Sequence, residues 1–423
     1  MHDIKFIKEN SKFFDEQLQK RGLPPQANKI LRVHELYIKL LKEIQILQEK
    51  KNLLSKKFSP KLSEIDLNII KSEVTNIKKE LEHLKENVEN KNEELVGILL
   101  QIPNIIDDKT PDGSCDEDNK IIKEIPPSKE FNFDVKDHVE IAEKLNFLDY
   151  EKAIKLSGSR FSVLKSDLAK LYRALINFMI DINVENFNYE ECVVPELIKE
   201  DCLIGTGQLP KFSDDIFKVD FNNLWLIPTA EVPLTNFHRN EIIDLQRLPL
   251  RYTAFTNCFR SEAGAAGKDT KGLIREHQFG KVELVSITEP SKSNVELERM
   301  VNCVESILNE LELPYRLVEL CSGDIGFSSS YTIDLEVWMP GQKKFREVSS
   351  CSNCKDFQSR RMKMRTKNFK TGEIFYPHTL NGSSVAVGRI LISLLENFQQ
   401  SNGSVMIPKK LRNYMKGIKI IGD

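Results

Sequence analysis

The most regular hydrophobic pattern lies in the first hundred residues, where apolar side chains recur at alternating spacings of four and three. It runs through two stretches that are separated by a break at Ser59 and Pro60. The seam positions are Val33, Tyr37, Leu40, Ile44, Leu47 and Leu54, then Ile70, Val74, Ile77, Leu81, Leu84, Val88, Leu95 and Ile98, with Lys51 and Lys91 as polar intruders. This repeat predicts two helices that pair as an antiparallel coiled coil. About thirty residues per helix at ~1.5 Å each gives an arm of roughly 45 Å.

The periodic pattern is flanked by two segments of different character. Residues 1–30 predict a short helix that is closed by Gly22 and two prolines. Residues 102–119, IPNIIDDKTPDGSCDEDN, have no period and are rich in Pro, Gly and Asp. The expected organisation is therefore a helical domain over 1–101, a linker over 102–119 and a second domain over 120–423.

The second domain predicts a mixture of helices and strands. Helices are expected over 137–148 and 164–183, the latter with an apolar stripe of 3.6-residue period, followed by a short strand that ends at Pro195. Alternating β-branched and aromatic residues predict strands over 250–260 and 275–285. A hairpin that turns at Pro340-Gly341 is expected over 331–354, and an apolar helix is expected to begin near Val385.

Strand alternation gives the pair at 250–285 a distinctive polar face. Arg260 and Glu262 are expected to share one face of the first strand. The side chains that share a face of the second strand are Arg275, His277, Phe279, Lys281 and Glu283. A solvated hairpin with alternating charges is one interpretation. The other is a site for an anionic, planar ligand, with arginines on phosphate and Phe279 under a base.

The charged residues are informative only within local segments of the chain. The 423-residue chain has a formal net charge of −2, so its overall balance argues neither for nor against nucleic acid. Residues 30–61 carry eight Lys or Arg and three Asp or Glu, whereas residues 62–100 carry five and nine. Opposite charges of this kind favour pairing of the two helices. They equally allow the Lys-rich helix to contact a phosphate backbone through Lys50, Lys51, Lys56 and Lys57.

Cysteine usage and hydropathy bear on the compartment. Eight scattered cysteines without a secretion signal are typical of a reduced, cytoplasmic protein, and no apolar run approaches the ~18 residues of a membrane span. Cys351 and Cys354 form a CxxC for which no second ligand pair is evident. Two packed thiols are favoured there over a structural zinc.

Three further segments carry candidate chemistry. Thr229, Ala230 and Glu231 lie between two prolines and could hold an ammonium group, although a surface turn would use the same residues. Glu347 and Ser350 offer hard oxygen ligands that suit Mg²⁺. Asp334 and Glu336 are interpreted as a polar sheet face. Arg389 lies in the first turns of the last long helix, whose N-terminus favours phosphate.

FRSE, about a dozen loop residues and RxHQFxKVE together resemble motif 2 of the class II aminoacyl-tRNA synthetases, in the form found in seryl-tRNA synthetases. The long helix, strand and Pro195 resemble motif 1, and residues 378–399 resemble motif 3. The likeness extends over nearly the whole chain, including SGSRF at residues 157–161. It implies an α+β fold: an antiparallel sheet flanked by helices, preceded by a tRNA-binding coiled-coil arm.

The resemblance also implies an activity and partners. The family forms homodimers, joins L-serine and ATP to seryl-adenylate in the presence of Mg²⁺, and passes serine to tRNA(Ser) or tRNA(Sec). The implied ATP site comprises Arg260, Ser261, Glu262, Arg275, Phe279, Glu347, Val348, Ser349, Ser350 and Arg389, with Arg260 catalytic and Glu347 and Ser350 on Mg²⁺. The implied serine site comprises Thr229, Ala230, Glu231, Glu283, Asn381 and Ser383. Lys268 and Lys271 in the motif 2 loop are expected to join the arm lysines on tRNA.

Two other functions remain open from the sequence. One is an enzyme that loads an amino acid onto a carrier protein, against which the long arm argues. The other is an inactive, tRNA-binding paralogue. The presence of Arg260, Glu262, Glu283, Glu347 and Arg389 argues against the second alternative.

Overall fold

A computed structural model describes residues 1–58, 63–128, 130–263 and 272–422. The chain divides into two compact units, Met1–Ile102 and Pro103–Asp423. Within the described residues, no helix is both long enough and apolar enough to cross a membrane.

The first unit consists of helices. They are α1 (Ile4–Glu9), α2 (Ser11–Lys20), α3 (Ala27–Lys56) and α4 (Glu64–Leu100). The two long helices run antiparallel, because Lys50 near the end of α3 forms an ion pair of 2.8 Å with Glu73 near the start of α4. The predicted two-helix arm is confirmed.

The heptad spacing identifies the seam between α3 and α4. Ile77, Leu81 and Leu95 are buried, and the other seam positions are buried or half-buried. Apolar side chains off the seam are exposed, as Ile46 and Leu53 illustrate at 62% each. The buried stripe therefore follows the 4-3 spacing rather than hydrophobicity alone.

The second unit combines eight helices and sixteen strands in its described residues. The helices are α5 (His138–Lys144), α6 (Tyr150–Ser157), α7 (Ser166–Asp181), α8 (Glu200–Thr206), α9 (Glu231–Thr235), α10 (Ser293–Glu310), α11 (Phe357–Arg361) and α12 (Val387–Asn397). The strands are β1 (Lys120–Ile125), β2 (Glu190–Glu191), β3 (Leu197–Lys199), β4 (Lys218–Val219), β5 (Leu224–Leu226), β6 (Ile242–Asp244), β7 (Leu250–Phe259), β8 (Gln278–Thr288), β9 (Tyr315–Glu319), β10 (Tyr331–Met339), β11 (Lys344–Asn353), β12 (Arg365–Lys367), β13 (Ile374–Phe375), β14 (His378–Ala386), β15 (Val405–Met406) and β16 (Ile420–Ile421).

The main sheet has eight strands in the order β1-β9-β10-β11-β14-β8-β7-β2. Its neighbours pair antiparallel except for β2 and β7 at one edge. Helices α7, α10 and α12 cover one face, where their apolar stripes join the largest core cluster. The predicted α+β class and the predicted hairpin over 331–354 are confirmed.

Strand β8 divides its side chains between core and site. Val282 and Leu284 point into the core beneath the helices. Because successive side chains alternate, Phe279, Lys281 and Glu283 point to the opposite face. The same face of β8 carries Val285, which contacts a separate apolar cluster beside α9. Strand β8 thus presents a row of polar side chains on one face and keeps its core contacts on the other.

Several predicted boundaries differ from the structure. The second strand of the pair begins at Gln278, so the expectation that Arg275 and His277 lie within it was wrong. The first strand ends at Phe259, and Glu262 adopts a left-handed φ of 52° rather than strand geometry. The last long helix begins at Val387 and follows a strand.

Residues 103–119, here called the strap, are bonded along the second unit. Backbone N–H groups of Asn104 and Asp107 donate to the carbonyls of Phe327 (2.9 Å) and Ser330 (2.8 Å). Ser322 N–H donates to the carbonyl of Pro111 at 2.8 Å. A segment that lacks periodicity can still be ordered when its backbone groups find partners on a neighbouring element.

Candidate active site

Two adjoining cavities lie on the polar face of β8. The Glu231 cavity has a volume of 360 Å³ and is lined by Gly207, Gln208, Phe212, Asp215, Ile216, Pro228, Thr229, Glu231, Arg260, Glu262, Gly326, Phe327, Ser328, Ser329 and Asn381. The Arg389 cavity has a volume of 240 Å³ and is lined by Arg260, Glu262, Leu273, Ile274, Arg275, Glu276, Phe279, Lys281, Glu347, Val348, Ser383, Ala386, Gly388 and Arg389.

Arg260 and Glu262 line both cavities and therefore stand at their junction. The Arg260 Nε donates to the carbonyl of Pro228 at 3.3 Å. Its guanidinium carbon lies 5.2 Å from the centre of the Phe279 ring, a cation–π geometry. These contacts hold a positive charge between two spaces that are each large enough for part of a ligand.

The Arg389 cavity concentrates charged groups around an aromatic ring. Arg275 pairs with Glu262 at 3.3 Å, and Arg389 pairs with Glu347 at 3.3 Å. The guanidinium of Arg389 also donates to the backbone carbonyl of Glu347 at 2.6 Å. Each cation thus has a carboxylate that an incoming phosphate would replace, and Phe279 supplies a flat apolar surface for a base.

Glu276 is a further carboxylate in the wall of the Arg389 cavity. Its side chain is 8% exposed, and its Oε1 has no hydrogen-bond partner among the described residues. Burial raises the pKa of Glu276 to about 7. In sequence, Glu276 lies three positions before Phe279, within RxHQF.

The Glu231 cavity is built around a buried carboxylate. Glu231 Oε1 accepts hydrogen bonds from Gln358 Nε2 at 2.7 Å and Asn381 Nδ2 at 3.0 Å. Burial, together with the neighbouring Glu283 carboxylate, raises the pKa of Glu231 to about 7. A cationic group that entered this cavity would stabilise the ionised form.

Glu283 lies behind the Glu231 cavity rather than in its wall. Its carboxylate accepts from Thr229 Oγ1 at 3.1 Å and pairs with Lys281 Nζ at 2.5 Å. Thr229 lines the cavity and also accepts from the backbone N–H of Glu231 at 3.1 Å. Thr229 thus links the Glu283 carboxylate to the backbone of Glu231, two residues that the sequence assigned to one site.

The hairpin of β10 and β11 brings oxygen donors to one place. Asp334 lies opposite Ser350 across the two strands. Burial and the neighbouring Glu347 carboxylate raise the pKa of Asp334 well above its ordinary range. Asp334 Oδ1 has no hydrogen-bond partner among the described residues. Asp334 and Glu336 lie on the face of β10 opposite the core residues Ile333, Leu335 and Val337. Asp334 is buried there, whereas Glu336 is partly exposed and pairs with Arg316.

Of the other predicted site residues, Ser261, Ser349 and Ala230 line neither cavity. Ser261 donates to the carbonyl of Asp214, and Ser349 donates to the carbonyl of Ser383. Ala230 is fully buried, and Ser383 lines the Arg389 cavity instead of the Glu231 cavity.

The predicted arm lysines differ from one another in environment. Lys50 pairs with Glu73, and Lys51 is half-buried in the seam. Lys56 and Lys57 are exposed. Lys268 and Lys271 lie outside the described residues.

Both thiols of the CxxC are fully buried. Cys354 Sγ accepts from Asn381 Nδ2 at 3.4 Å, and Cys351 Sγ contacts the hydroxyl of Ser349 at 3.8 Å. In the described ranges, no group of three or more His, Cys, Asp or Glu side chains is arranged to hold a metal.

Sequence reasoning missed two walls of the Glu231 cavity. GTGQ at residues 205–208 and GFSS at 326–329 are runs of small residues that could have drawn attention as ligand loops. Gly207 has a φ of 87°, and a Cβ there would lie 2.3 Å from the Ser328 hydroxyl. Close approach of these two loops therefore requires glycine. No local signal marks Gln358 as the partner of Glu231.

Comparisons with known proteins agree with this geometry. Residues 1–106 match the seryl-tRNA synthetase N-terminal domain, and residues 217–398 match the tRNA synthetase class II core domain (G, H, P, S and T). The serine–tRNA ligase of Brucella abortus is 46% identical over 421 residues, which cover 99% of this chain and 98% of that protein.

Solved structures give the same result. A seryl-tRNA synthetase from Pyrococcus horikoshii complexed with ATP superposes with a TM-score of 0.91 at 35% identity, covering 100% of this chain and 99% of that one. A cytoplasmic serine–tRNA ligase from Naegleria fowleri in complex with AMP gives 0.85 at 28% identity, with coverage of 99% and 98%. With its two-helix arm, its antiparallel sheet and a full-length likeness of this degree, the chain belongs to the seryl-tRNA synthetase family, the serine–tRNA ligases among the class II aminoacyl-tRNA synthetases.

Proposed function

We propose that the Arg389 cavity binds ATP, that the Glu231 cavity binds L-serine and that the two react at Arg260. The observation that carries this proposal is that Arg260 lines both cavities. A serine carboxylate oxygen attacks the α-phosphorus, and the bond to the bridging oxygen breaks. Pyrophosphate leaves with that electron pair, and seryl-adenylate remains.

The chain's contribution to this step is charge and position rather than proton transfer. The serine carboxylate is ionised at pH 7 and needs no base. The barrier arises because two anions must approach each other and negative charge accumulates on the phosphate. A guanidinium fixed by Pro228 and Phe279 stabilises that charge without reorganising.

Phosphate and base recognition follow from the same cavity. Arg275 and Arg389 bind the terminal phosphates, and Phe279 stacks on the adenine. The adenine end contacts Glu262, which lies beside Arg275, and the wall around Glu276. The helix α12 N-terminus, where Arg389 lies, favours the same negative charge.

Serine recognition rests on the buried carboxylates. Glu231 binds the ammonium group, which is a suitable partner for a carboxylate buried among neutral donors. Thr229, backed by Glu283, contacts the remaining polar groups of serine, and Asn381 fixes the orientation of Glu231.

The residues present also fit a Mg²⁺ ion on the phosphates. Asp334 offers a buried oxygen with no partner among the described residues, and Glu347 and Ser350 lie beside it. Mg²⁺ prefers such oxygen ligands together with water and phosphate. When bound, the ion would neutralise charge on the phosphates; Glu347 and Ser350 would hold it, with Asp334 behind them.

The second step transfers serine to tRNA. A hydroxyl of the terminal ribose attacks the seryl carbonyl carbon, and AMP leaves. The coiled-coil arm holds the tRNA, with Lys56 and Lys57 on its phosphates because these two side chains are exposed. tRNA(Ser) is the substrate, and tRNA(Sec) is a second candidate.

Assembly and compartment are also part of the proposal. A homodimer is supported by Val193, which is 98% exposed in the motif 1 segment next to Pro195. A reducing compartment, the cytoplasm, is supported by the eight cysteines, all of which are free thiols.

ATP–pyrophosphate exchange with each of the twenty amino acids tests the first step. We expect exchange that depends on serine, followed by esterification of tRNA(Ser) in a second assay. Exchange without transfer to any tRNA would indicate a carrier-protein enzyme, and absence of exchange would indicate an inactive paralogue.

A further inference from the structure

The strap fastens one wall of the Glu231 cavity. That wall is the loop Gly326–Ser329. Besides the backbone bonds of Asn104 and Asp107, the strap's Thr110 hydroxyl donates to the carbonyl of Ser330 at 2.9 Å. At the far end of the strap, Asn119 Oδ1 accepts from the Cys321 N–H at 2.9 Å and its Nδ2 donates to Asp324 at 2.8 Å.

Asn104 is a strap residue that bonds two residues of the cavity wall, Phe327 and Ser328. It is 5% exposed. Its amide Nδ2 donates to the carbonyl of Ser328 at 2.9 Å and to the carbonyl of Cys354 at 2.8 Å. Its Oδ1 accepts from the backbone N–H of Ile105 at 2.9 Å, so every polar atom of the side chain is used.

The two carbonyls that Asn104 joins belong to different walls. Ser328 lines the cavity on the loop side. Cys354 follows the end of β11, and its Sγ accepts from Asn381. Asn381 in turn donates to Glu231. The side-chain amide of Asn104 therefore sets the spacing between the loop Gly326–Ser329 and Asn381, which orients the Glu231 carboxylate.

We propose that Asn104 is a positioning residue for the amino-acid cavity: it clasps the loop Gly326–Ser329 to the Cys354–Asn381 wall and so fixes the width of the serine pocket. This inference rests on the proposed function of the Glu231 cavity. Asn104 touches neither substrate. It acts through the backbone carbonyls of Ser328 and Cys354, to which its amide donates.

The bonds of Asn104 should affect the binding of serine and not the binding of ATP. Neither Ser328 nor Cys354 lines the Arg389 cavity. Loss of the clasp leaves two buried carbonyls without their donor, and the loop can satisfy its carbonyl only by moving toward water. Serine affinity should therefore fall, whereas the ATP cavity keeps its walls.

Asn104→Asp tests the clasp with almost no change in side-chain volume. It keeps the acceptor for Ile105 and replaces the donor by an oxygen that repels both carbonyls. Asn119→Asp is the matched control, because Asn119 belongs to the same strap but bonds Cys321 and Asp324, which precede the loop and do not line the cavity. Asn104→Ala, which adds no charge, is measured alongside in case the aspartate variant does not fold.

Initial rates of ATP–pyrophosphate exchange on the full chain give KM for both substrates. We expect the serine KM of the Asn104 variants to rise by at least about tenfold, the scale for losing buried hydrogen bonds, with the ATP KM unchanged. The Asn119 variant should keep both values. Serine-induced protection against thermal unfolding should weaken in parallel.

The inference is overturned if the Asn104 variants keep the wild-type serine KM, if serine and ATP KM rise together, or if Asn119→Asp gives the same rise. Failure of the proposed function is distinguishable, because the wild-type chain itself would then show no serine-dependent exchange.

Discussion

At the scale of single residues, Glu231 makes the site sensitive to pH. An ordinary glutamate is ionised well below neutrality, whereas burial beside Glu283 raises the pKa of Glu231 to about 7. Below pH 7 the carboxyl is therefore mostly neutral and attracts an ammonium group poorly. Above pH 7 the charge is present, and on the proposed assignment the same group should attract the ammonium group of serine.

We accordingly expect kcat/KM for serine to rise about tenfold per pH unit below pH 7 and to level off above it, because this ratio reports groups of the free enzyme. Glu231→Gln should lower the plateau and flatten the profile. Glu276 also has a pKa of about 7, but it lines the Arg389 cavity. We therefore expect its titration to affect kcat/KM for ATP and not kcat/KM for serine. If kcat/KM for serine still rose with pH below pH 7 in Glu231→Gln, Glu231 would not be the residue that binds the ammonium group.

Arg260 supports the second residue-scale prediction. Arg260→Ala removes a fixed cation from the junction of the cavities. A loss of about 10²–10³ in the rate of seryl-adenylate formation is the scale for one preorganised donor. The readout is single-turnover formation of seryl-adenylate.

Arg316 offers a matched control for Arg260. It also lies over an aromatic ring, that of Phe345, and pairs with a carboxylate, Glu336, but it lines neither cavity. Arg316→Ala should change stability without changing the chemical step by more than about threefold. Equal losses in both variants would mean that the effect of Arg260 is structural.

At the scale of elements, the arm is separable from the chemistry. The ion pair of Lys50 with Glu73 sets the register of α3 against α4 and brings Leu40 near Leu84. The arm can therefore be shortened by replacing residues 41–83 with a short glycine-rich turn. The base of the helical unit, including Ile30, Val33 and Leu95, is then retained.

This truncation should leave serine-dependent pyrophosphate exchange within about twofold of wild type, because both cavities lie in the second unit. Transfer of serine to tRNA should fall by orders of magnitude, because the phosphate contacts that dominate affinity are gone. Charging at wild-type efficiency by the shortened chain would assign tRNA binding to another surface.

At the scale of the whole molecule, the exposed Val193 points to assembly. A valine that is 98% exposed sits in a segment whose neighbour Val194 is buried. Val193→Asp should shift a homodimer to monomers, because it places a charge in an apolar contact. Light scattering of the eluting protein measures the mass, and Val295→Asp, at a helix position that is 67% exposed, is the control. A monomeric wild type, or equal masses for both variants, would contradict the assignment.

Much of the architecture was predictable because it depends on local spacing. The 4-3 repeat identified the buried seam of the arm, and alternation along β8 assigned Phe279, Lys281 and Glu283 to one face. The motif residues Arg260, Arg275 and Arg389 were predictable for a related reason. Their chemistry is carried by the residue type and its order along the chain, and all three line the Arg389 cavity.

The tertiary structure decided the contacts between segments that are distant in sequence. Gln358 reaches Glu231 across 127 positions, and Asn104 reaches Cys354 across 250. Asp334 is buried where β11 places Ser350 opposite it and the Glu347 carboxylate nearby. No period or motif encodes such pairs, since a hydrogen bond between distant residues depends on where the chain returns in space. The sequence alone determined the elements and the reactive groups, whereas packing decided which of those groups are buried, which pKa values are raised and which segment bonds to the loop Gly326–Ser329.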